Sequence, residues 1–215
     1  VLRRAHEASE DATDDAALVE ALGIKVKTIE GEARALKITN PSDIATALSL
    51  LHPTRVELRS GIGTDAHAFS KDPSRPLWLA TLHWPDHIGV DGHSDGDVAA
   101  HAICDALFAA SQLGDLGSNF GTSDPKYAGA SGAQLLGETL SRVKSAGFSI
   151  VNVSVQIISN RPKIGPRRKE AIDTLSQILE GATVSVTATS TDGLGFTGEG
   201  KGISAIAIAL LSKDQ

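Results

Sequence analysis

Asp65 and His67 are separated by one residue in a stretch, Ser60 to His67, that reads as a glycine-rich strand. Side chains two apart in a strand share a face, so a carboxylate and an imidazole converge on one point. Taken alone, such a pair is an ordinary surface hydrogen bond. His101 adds a third group. It stands in an otherwise apolar helical turn with Val98, Ala102 and Asp105, where an inward histidine is either a satisfied core residue or a ligand. Two imidazoles and one carboxylate make a tetrahedral zinc site with its fourth position open, the pattern of a catalytic zinc.

Three further segments carry candidate chemistry. His93 and Ser94 stand ahead of the helix that bears His101, followed by Asp95 and Asp97. Backbone N–H groups at a helix start attract phosphate oxygens, although the same residues also serve as plain caps. Residues 189–198 place hydroxyls at a strand end before a glycine-rich loop, with Asp192 as a candidate ligand for Mg²⁺ or Mn²⁺, which prefer oxygen donors. The basic run from Arg161 to Lys169 enters a helix and either faces solvent or an anion.

The elements that must position these groups fall into two unequal parts. Of 21 glycines, only Gly23 and Gly31 precede residue 59. In the first part, Thr13-Asp14-Asp15 caps a helix from Ala16 to Leu22, and Asn40-Pro41 opens another from Ser42 to Leu51. Val26 to Ile29 and Leu36 to Thr39 read as short strands. Two helices and two short strands make a poor independent core. In the second part, helical spacing runs over Asp95 to Leu113 and Ser131 to Ala146, and a third helix opens at Pro166 and closes at Gly181. Val151, Val153, Val155 and Ile157 alternate with polar residues in a strand, and Val184 to Ala188 forms another. In the last strand Ile206, Ile208 and Leu210 alternate with alanines, which predicts that both its faces are covered. The predicted fold is α+β, a sheet with helices packed on one side.

Composition excludes several classes. The chain has 215 residues, 41% hydrophobic, with a formal net charge of −6. That is an ordinary globular balance without the basic surface that nucleic-acid binding needs. The single cysteine, Cys104, excludes an internal disulfide framework. The longest apolar run, Ile203 to Leu211, is about half of the ~20 residues a membrane helix requires. The start of the chain lacks an apolar signal region, and without any methionine the chain reads as processed or cut from something longer.

Several stretches together resemble the 2-C-methyl-D-erythritol 2,4-cyclodiphosphate synthase family of non-mevalonate isoprenoid biosynthesis, over about Arg59 to Leu211. They are Gly61-Ile62-Gly63-Thr64-Asp65-Ala66-His67, His93-Ser94-Asp95-Gly96-Asp97, His101, Leu113-Gly114-Asp115-Leu116-Gly117, Pro162-Lys163 and Leu194-Gly195-Phe196-Thr197-Gly198. Residues 1–51 resemble the C-terminal end of the cytidylyltransferase two steps earlier in the pathway, through Thr13-Asp14-Asp15-Ala16, Glu30-Gly31 and Leu36-Lys37-Ile38-Thr39-x-Pro41. The chain is thus similar to a bifunctional fusion lacking most of its first domain, with residues 52–58 as linker and no transferase activity expected.

The resemblance implies a cytoplasmic homotrimer of α+β subunits with active sites between neighbours. It implies cyclisation of 4-diphosphocytidyl-2-C-methyl-D-erythritol 2-phosphate with release of CMP. By carry-over, Asp65, His67 and His101 bind zinc, and Asp192 binds Mg²⁺ or Mn²⁺ shared with substrate phosphates. His93 and Ser190 stabilise transition-state charge. Asp115, Leu116, Gly117, Phe120, Gly121, Thr122, Ser123 and Asp124 hold the methylerythritol phosphate, and Ser94 also binds substrate. Ser159, Asn160, Arg161, Pro162, Lys163, Ile164, Gly165, Thr189, Thr191 and Phe196 complete the substrate site on the cytidine side. Departures from the family pattern are Phe120-Gly121-Thr122-Ser123-Asp124 for Phe-Pro-Asp-Thr-Asp, Ser190 for threonine, Asp192 for glutamate and Glu199 for arginine. Two other readings of the residues remain: a zinc hydrolase, and a trimeric scaffold that only binds cytidine nucleotides.

Overall fold

A computed structural model describes residues 1–8, 14–32, 35–51, 56–121, 127 and 129–214. The chain divides into two compact units, Val1–Pro53 and Thr54–Gln215.

The first unit contains α1 (Leu2–Ala8), α2 (Asp15–Ala21) and α3 (Pro41–Leu51). Asp14 caps α2 by accepting the Ala17 N–H at 2.8 Å; Thr13 lies outside the described residues. At the start of α3 the Asp43 carboxylate accepts the N–H groups of Thr39 and Asn40 at 2.7 and 2.9 Å. The strands expected at Val26 to Ile29 and Leu36 to Thr39 do not form, because a short extended segment is not stable without a neighbour to pair with. Among the described residues of this unit only Ala5 and Leu18 are buried apolar side chains, which is the poor core the sequence predicts.

The second unit is a four-stranded mixed sheet in the order β1-β6-β4-β5, made of β1 (Val56–Ala68), β4 (Ser149–Ile158), β5 (Thr183–Thr189) and β6 (Gly202–Asp214). β6 runs antiparallel to both β1 and β4, while β4 and β5 are parallel. The parallel pair is joined by α7 (Arg168–Ile178), entered through a 3₁₀ turn at Gly165–Arg167. β1 begins at Val56, inside the stretch read as linker. A hairpin, β2 (Pro76–Leu79) and β3 (Leu82–Ile88), was not anticipated.

The core forms where α4 (Val98–Ser111) crosses β1 and β6. Nearly every α4 residue is buried, so this helix is apolar all round rather than striped. Small residues beneath it set the approach. Ala205, Ala207 and Ala209 of β6 are buried. A Cβ on Gly61 would lie 2.2 Å from the Ala106 carbonyl oxygen, and one on Gly63 would lie 2.1 Å from that of Ala102. α6 (Gly132–Ser145) packs on the outer side of α4, with a Ser131–Gln134 capping box at its start.

The opposite face of the sheet is open in the single chain, contrary to the expectation that both faces of the last strand are covered. Ile62 is 62% exposed and Ile208 51%. The helix of the His93 motif is also shorter than its spacing predicts, starting at Val98 with Asp97 as cap.

Cys104 lies wholly inside the α4 core, where burial pushes its thiol up to about 12. The thiolate is the reactive form, so Cys104 stays unlabelled by iodoacetamide at pH 8 in the native protein and reacts once denaturant unfolds it. Rapid native labelling would contradict this packing.

Candidate functional site

The strand-helix approach brings the first constellation together. β1 residues with odd numbers face α4, so Asp65 and His67 follow Gly61 and Gly63 on that side. Asp65 Oδ2 lies 2.9 Å from His101 Nδ1 and 3.1 Å from His67 Nε2. One ligand atom from each of the three falls within 4.8 Å of the others. A hard carboxylate oxygen and two imidazole nitrogens suit a divalent ion of the zinc type, so the donor set fits the expected metal. Among the described residues it is the sole cluster of this kind.

Electrostatics tie the three together. Burial pushes the Asp65 carboxyl up, but hydrogen bonds from His101 and His67 outweigh it and hold the group well below the ordinary carboxylate range. Burial pulls His101 down, yet the Asp65 hydrogen bond and the charges of Asp97 and Asp95 leave it raised. The other ring nitrogen, Nε2, is 3.2 Å from Ser94 Oγ.

A cavity of about 320 Å³ opens over this cluster. Its polar side is lined by Asp65, His67, His93, Ser94, His101 and Asp105. Its apolar side is lined by Leu116, Gly117, Phe120, Gly121, Tyr127 and Leu135. Leu116 to Phe120 forms a short helix, α5, capped by Asp115, which accepts the Ser118 N–H at 2.7 Å. Asp115 therefore spends one carboxylate oxygen on the backbone. Thr122, Ser123 and Asp124 lie outside the described residues.

At the start of α4 the structure shows the cap that the sequence offered beside a phosphate site. The Asp97 carboxylate already accepts the helix N–H groups of Ala99 and Ala100, each at 3.1 Å. It also accepts those of Ala80 and Thr81 in the β2–β3 turn, at 2.8 and 2.6 Å. Asp95 is likewise engaged, accepting the Gly132 N–H at 2.7 Å. His93 and Ser94 sit before this capped end. Their loop is held by Arg75, whose guanidinium donates to the Gly92 and Ser94 carbonyls at 2.7 and 3.2 Å.

The remaining predicted residues gather elsewhere. Ser159, Pro162, Lys163, Ile164, Gly165, Thr189 and Ser190 line a second cleft of about 310 Å³ with Arg168. Asn160 donates through Nδ2 to the Gly198 carbonyl, and the Arg161 guanidinium stacks 5.1 Å from the Phe69 ring centre. Ser190 Oγ donates to Asp192 Oδ1 at 2.9 Å. Thr191 Oγ1 donates to the Leu194 carbonyl at 2.6 Å, bracing the loop before α8 (Gly195–Gly198), where a plain loop was expected. Phe196 is 46% exposed. Glu199 is paired with Lys201 at 2.5 Å.

The two clefts lie at the same end of the sheet but not together. Asp65 pairs with Ala205, Ala205 with Ile157, and Ile157 with Ala188. Three strand spacings separate Asp65 from Ala188, about 14 Å. Asp192 and Ser190 are thus not brought to the metal cluster within one chain. Sequence reasoning missed Asp105, Tyr127 and Leu135 as cavity residues. Asp105 carried a usable signal, since it stands one helical turn from His101 and shares its face.

Comparison with known proteins adds the lineage. The YgbB family matches residues 58–212, and 2-C-methyl-D-erythritol 4-phosphate cytidylyltransferase matches residues 1–52. The bifunctional enzyme IspD/IspF of Clavibacter michiganensis is 50% identical over 212 residues, covering 96% of this chain and 51% of that protein. The 2-C-methyl-D-erythritol 2,4-cyclodiphosphate synthase of Cutibacterium acnes is 53% identical over 159 residues, covering 74% of this chain and 93% of that protein. The solved CDP complex of IspF from Plasmodium falciparum superposes with a TM-score of 0.63 at 28% identity, covering 74% of this chain and 97% of that one. The chain spans about half the length of the bifunctional relative, but nearly all of the single-function synthase. Through residues 58–212 the chain belongs to the YgbB family, that of the 2-C-methyl-D-erythritol 2,4-cyclodiphosphate synthases.

Proposed function

We propose that this chain converts 4-diphosphocytidyl-2-C-methyl-D-erythritol 2-phosphate to 2-C-methyl-D-erythritol 2,4-cyclodiphosphate and CMP, in the cytoplasm. An oxygen of the substrate's 2-phosphate attacks the β-phosphorus, and the bond from that phosphorus to CMP breaks. No water is consumed, which separates this reaction from hydrolysis. The attack is intramolecular, so holding the substrate folded supplies much of the rate. The observation that carries the reading is the Asp65–His67–His101 cluster at the floor of a cavity whose far wall is apolar.

Asp65, His67 and His101 are the residues that hold zinc, and Asp192 is the ligand for Mg²⁺ or Mn²⁺. When bound, the metals supply positive charge that offsets the charge developing on the phosphates. His93 and Ser190 donate hydrogen bonds to the same developing charge. Asp115, Leu116, Gly117, Phe120, Gly121, Thr122, Ser123 and Asp124 hold the methylerythritol phosphate, and Ser94 is a further substrate contact. Residues 159–165, with Thr189, Thr191 and Phe196, hold the cytidine diphosphate, a role supported by the CDP carried by the Plasmodium relative.

The working unit is a homotrimer in which the cavity of one copy meets the cytidine cleft of the next. Two features support this. The clefts of one chain are three strand spacings apart. The open sheet face exposes Ile62, Ile206 and Ile208, a patch of the kind that marks subunit contacts.

Mass spectrometry of the product formed with zinc and Mg²⁺ tests the reading. Cyclodiphosphate plus CMP supports it; hydrolysed diphosphate points to a zinc hydrolase, and binding of CDP without turnover points to a scaffold. Because the chain divides between Pro53 and Thr54, a chain beginning at Thr54 keeps the activity of the full one within about twofold, as expected for a contact-poor boundary. Loss of activity on truncation would make the first unit part of the working enzyme.

A further inference from the structure

We propose that Arg142 of α6 is the positioning residue for the apolar wall of the first cavity, and so sets the grip on the methylerythritol end of the substrate. The proposal rests on the synthase reading above.

Arg142 does not line the cavity; it holds the wall from behind. Its Nη1 donates to the Asn119 carbonyl oxygen at 3.1 Å and to Asn119 Oδ1 at 2.9 Å. Its Nη2 donates to the Tyr127 hydroxyl at 3.1 Å. Its Nε donates to Glu138 Oε1 at 3.2 Å, one helical turn back on α6. The guanidinium plane lies over the Phe120 ring, 4.8 Å from its centre. Asn119 carries the restraint onward, donating through Nδ2 to the Leu113 and Asp115 carbonyls at 2.7 and 2.8 Å. Phe120 is packed between Phe108 and Tyr127, with ring centres 5.7 and 4.8 Å away. Phe120 and Tyr127 both face the cavity. One planar fork therefore fixes α5 and Tyr127, parts of the wall that have no backbone hydrogen bond to each other among those described.

The chemistry of the group matters. A guanidinium presents five donors in a rigid plane and stacks on an aromatic face, whereas an ammonium is a point charge. Lysine can supply charge at this position but not the simultaneous contacts to Asn119, Tyr127 and Phe120. None of these Arg142 contacts reaches the metal ligands or the second cleft. Its loss is therefore selective for one end of a substrate that is held at both.

The test uses the full chain and the Arg142→Met, Arg142→Lys and Tyr127→Phe variants. Arg142→Met raises KM for 4-diphosphocytidyl-2-C-methyl-D-erythritol 2-phosphate about tenfold or more, the scale of losing charge-assisted hydrogen bonds. CDP affinity by calorimetry and bound zinc stay at the wild-type level. Arg142→Lys does not restore KM. Tyr127→Phe keeps the ring and loses the hydroxyl, which accepts from Arg142 and donates to Glu138 Oε1 at 3.5 Å, giving a smaller rise that is not additive with Arg142→Met because both act through one network. In the ligand-free protein, Arg142→Met speeds amide hydrogen exchange at residues 116–121. An unchanged KM, full rescue by lysine, or parallel loss of CDP and zinc binding overturns the proposal. Absence of turnover in the wild type overturns the synthase reading instead, and the exchange measurement then still decides whether Arg142 holds the wall.

Discussion

His101→Ala empties the metal site and lowers cyclase turnover by roughly a thousandfold, the range expected when a metal that offsets several kcal/mol of transition-state charge is lost. The geometry leaves no substitute. Among the described residues the three-ligand cluster is Asp65, His67 and His101, and Asp95, the nearest other carboxylate to His101, stands 4.0 Å from its Nε2 with both oxygens used in backbone hydrogen bonds. Alanine is a strong helix former, so α4 itself survives the change. Metal analysis beside a far-ultraviolet circular dichroism spectrum separates the two effects. Full zinc occupancy in a folded His101→Ala protein would refute the assignment.

The same substitution has a pH signature in the metal-free protein. Asp65 is held below its usual value of 3.8, so its contribution is present above that pH and fades as pH falls through the lower folded value. His101 is held above its usual 6.5, so its contribution is present below that pH and fades as pH rises through the higher folded value. The pair therefore stabilises most between the two ordinary values, about pH 4 to 6.5. Chelator-treated wild type exceeds His101→Ala in melting temperature most within that window. A difference that is flat across pH would mean the pair contributes through packing alone.

Much of this arrangement was legible in residues 59–215. The alternation in β4 from Val153 to Ile157, the helical spacing from Ser131 to Ala146 and the D-x-H spacing in β1 are local signals, and each corresponds to the structure because local and tertiary preferences agree there. Val151, expected on the buried side of β4, is 41% exposed because the register shifts between Ile150 and Asn152. The β2–β3 hairpin carried no such signal. Its turn is made by Ala80 and Thr81 at φ of 52° and 62°, where glycine or asparagine is usual. The turn stands because Asp97, far along the chain, accepts both of its N–H groups. That is a long-range compensation no window of sequence contains. The same carboxylate caps the start of α4: a cap was legible there, but not that it is shared with the hairpin. In the first unit the two expected strands had the right composition and no partner. The cavity's far wall depends on Arg142 reaching Asn119 and Tyr127 across the chain, which spacing cannot reveal.

Gly63→Ala destabilises the second unit by about 3 kcal/mol, at the upper end of overpacking costs, which corresponds to roughly 6–12 °C in melting temperature for a domain of this size. Gly63 lies within β1 and has no positive φ, so the backbone does not require glycine for its conformation. Space does. The new Cβ would lie 2.1 Å from the Ala102 carbonyl oxygen and 2.4 Å from the Ala106 nitrogen. Both are backbone atoms of a buried helix and neither can rotate away. Relief therefore needs α4 to lift from β1, and His101 is one residue from Ala102. Lifting the helix lengthens the 2.9 Å contact between His101 and Asp65, so zinc affinity falls along with stability. Gly137 on α6 is the control. A Cβ there meets nothing within 4 Å, and Gly137→Ala gains about 0.5–1 kcal/mol from helix propensity and a less flexible unfolded chain. Denaturant unfolding of the two variants gives opposite signs. If Gly63→Ala melted with the wild type and kept its zinc, the close seating of α4 on β1 would not be what brings the metal ligands together.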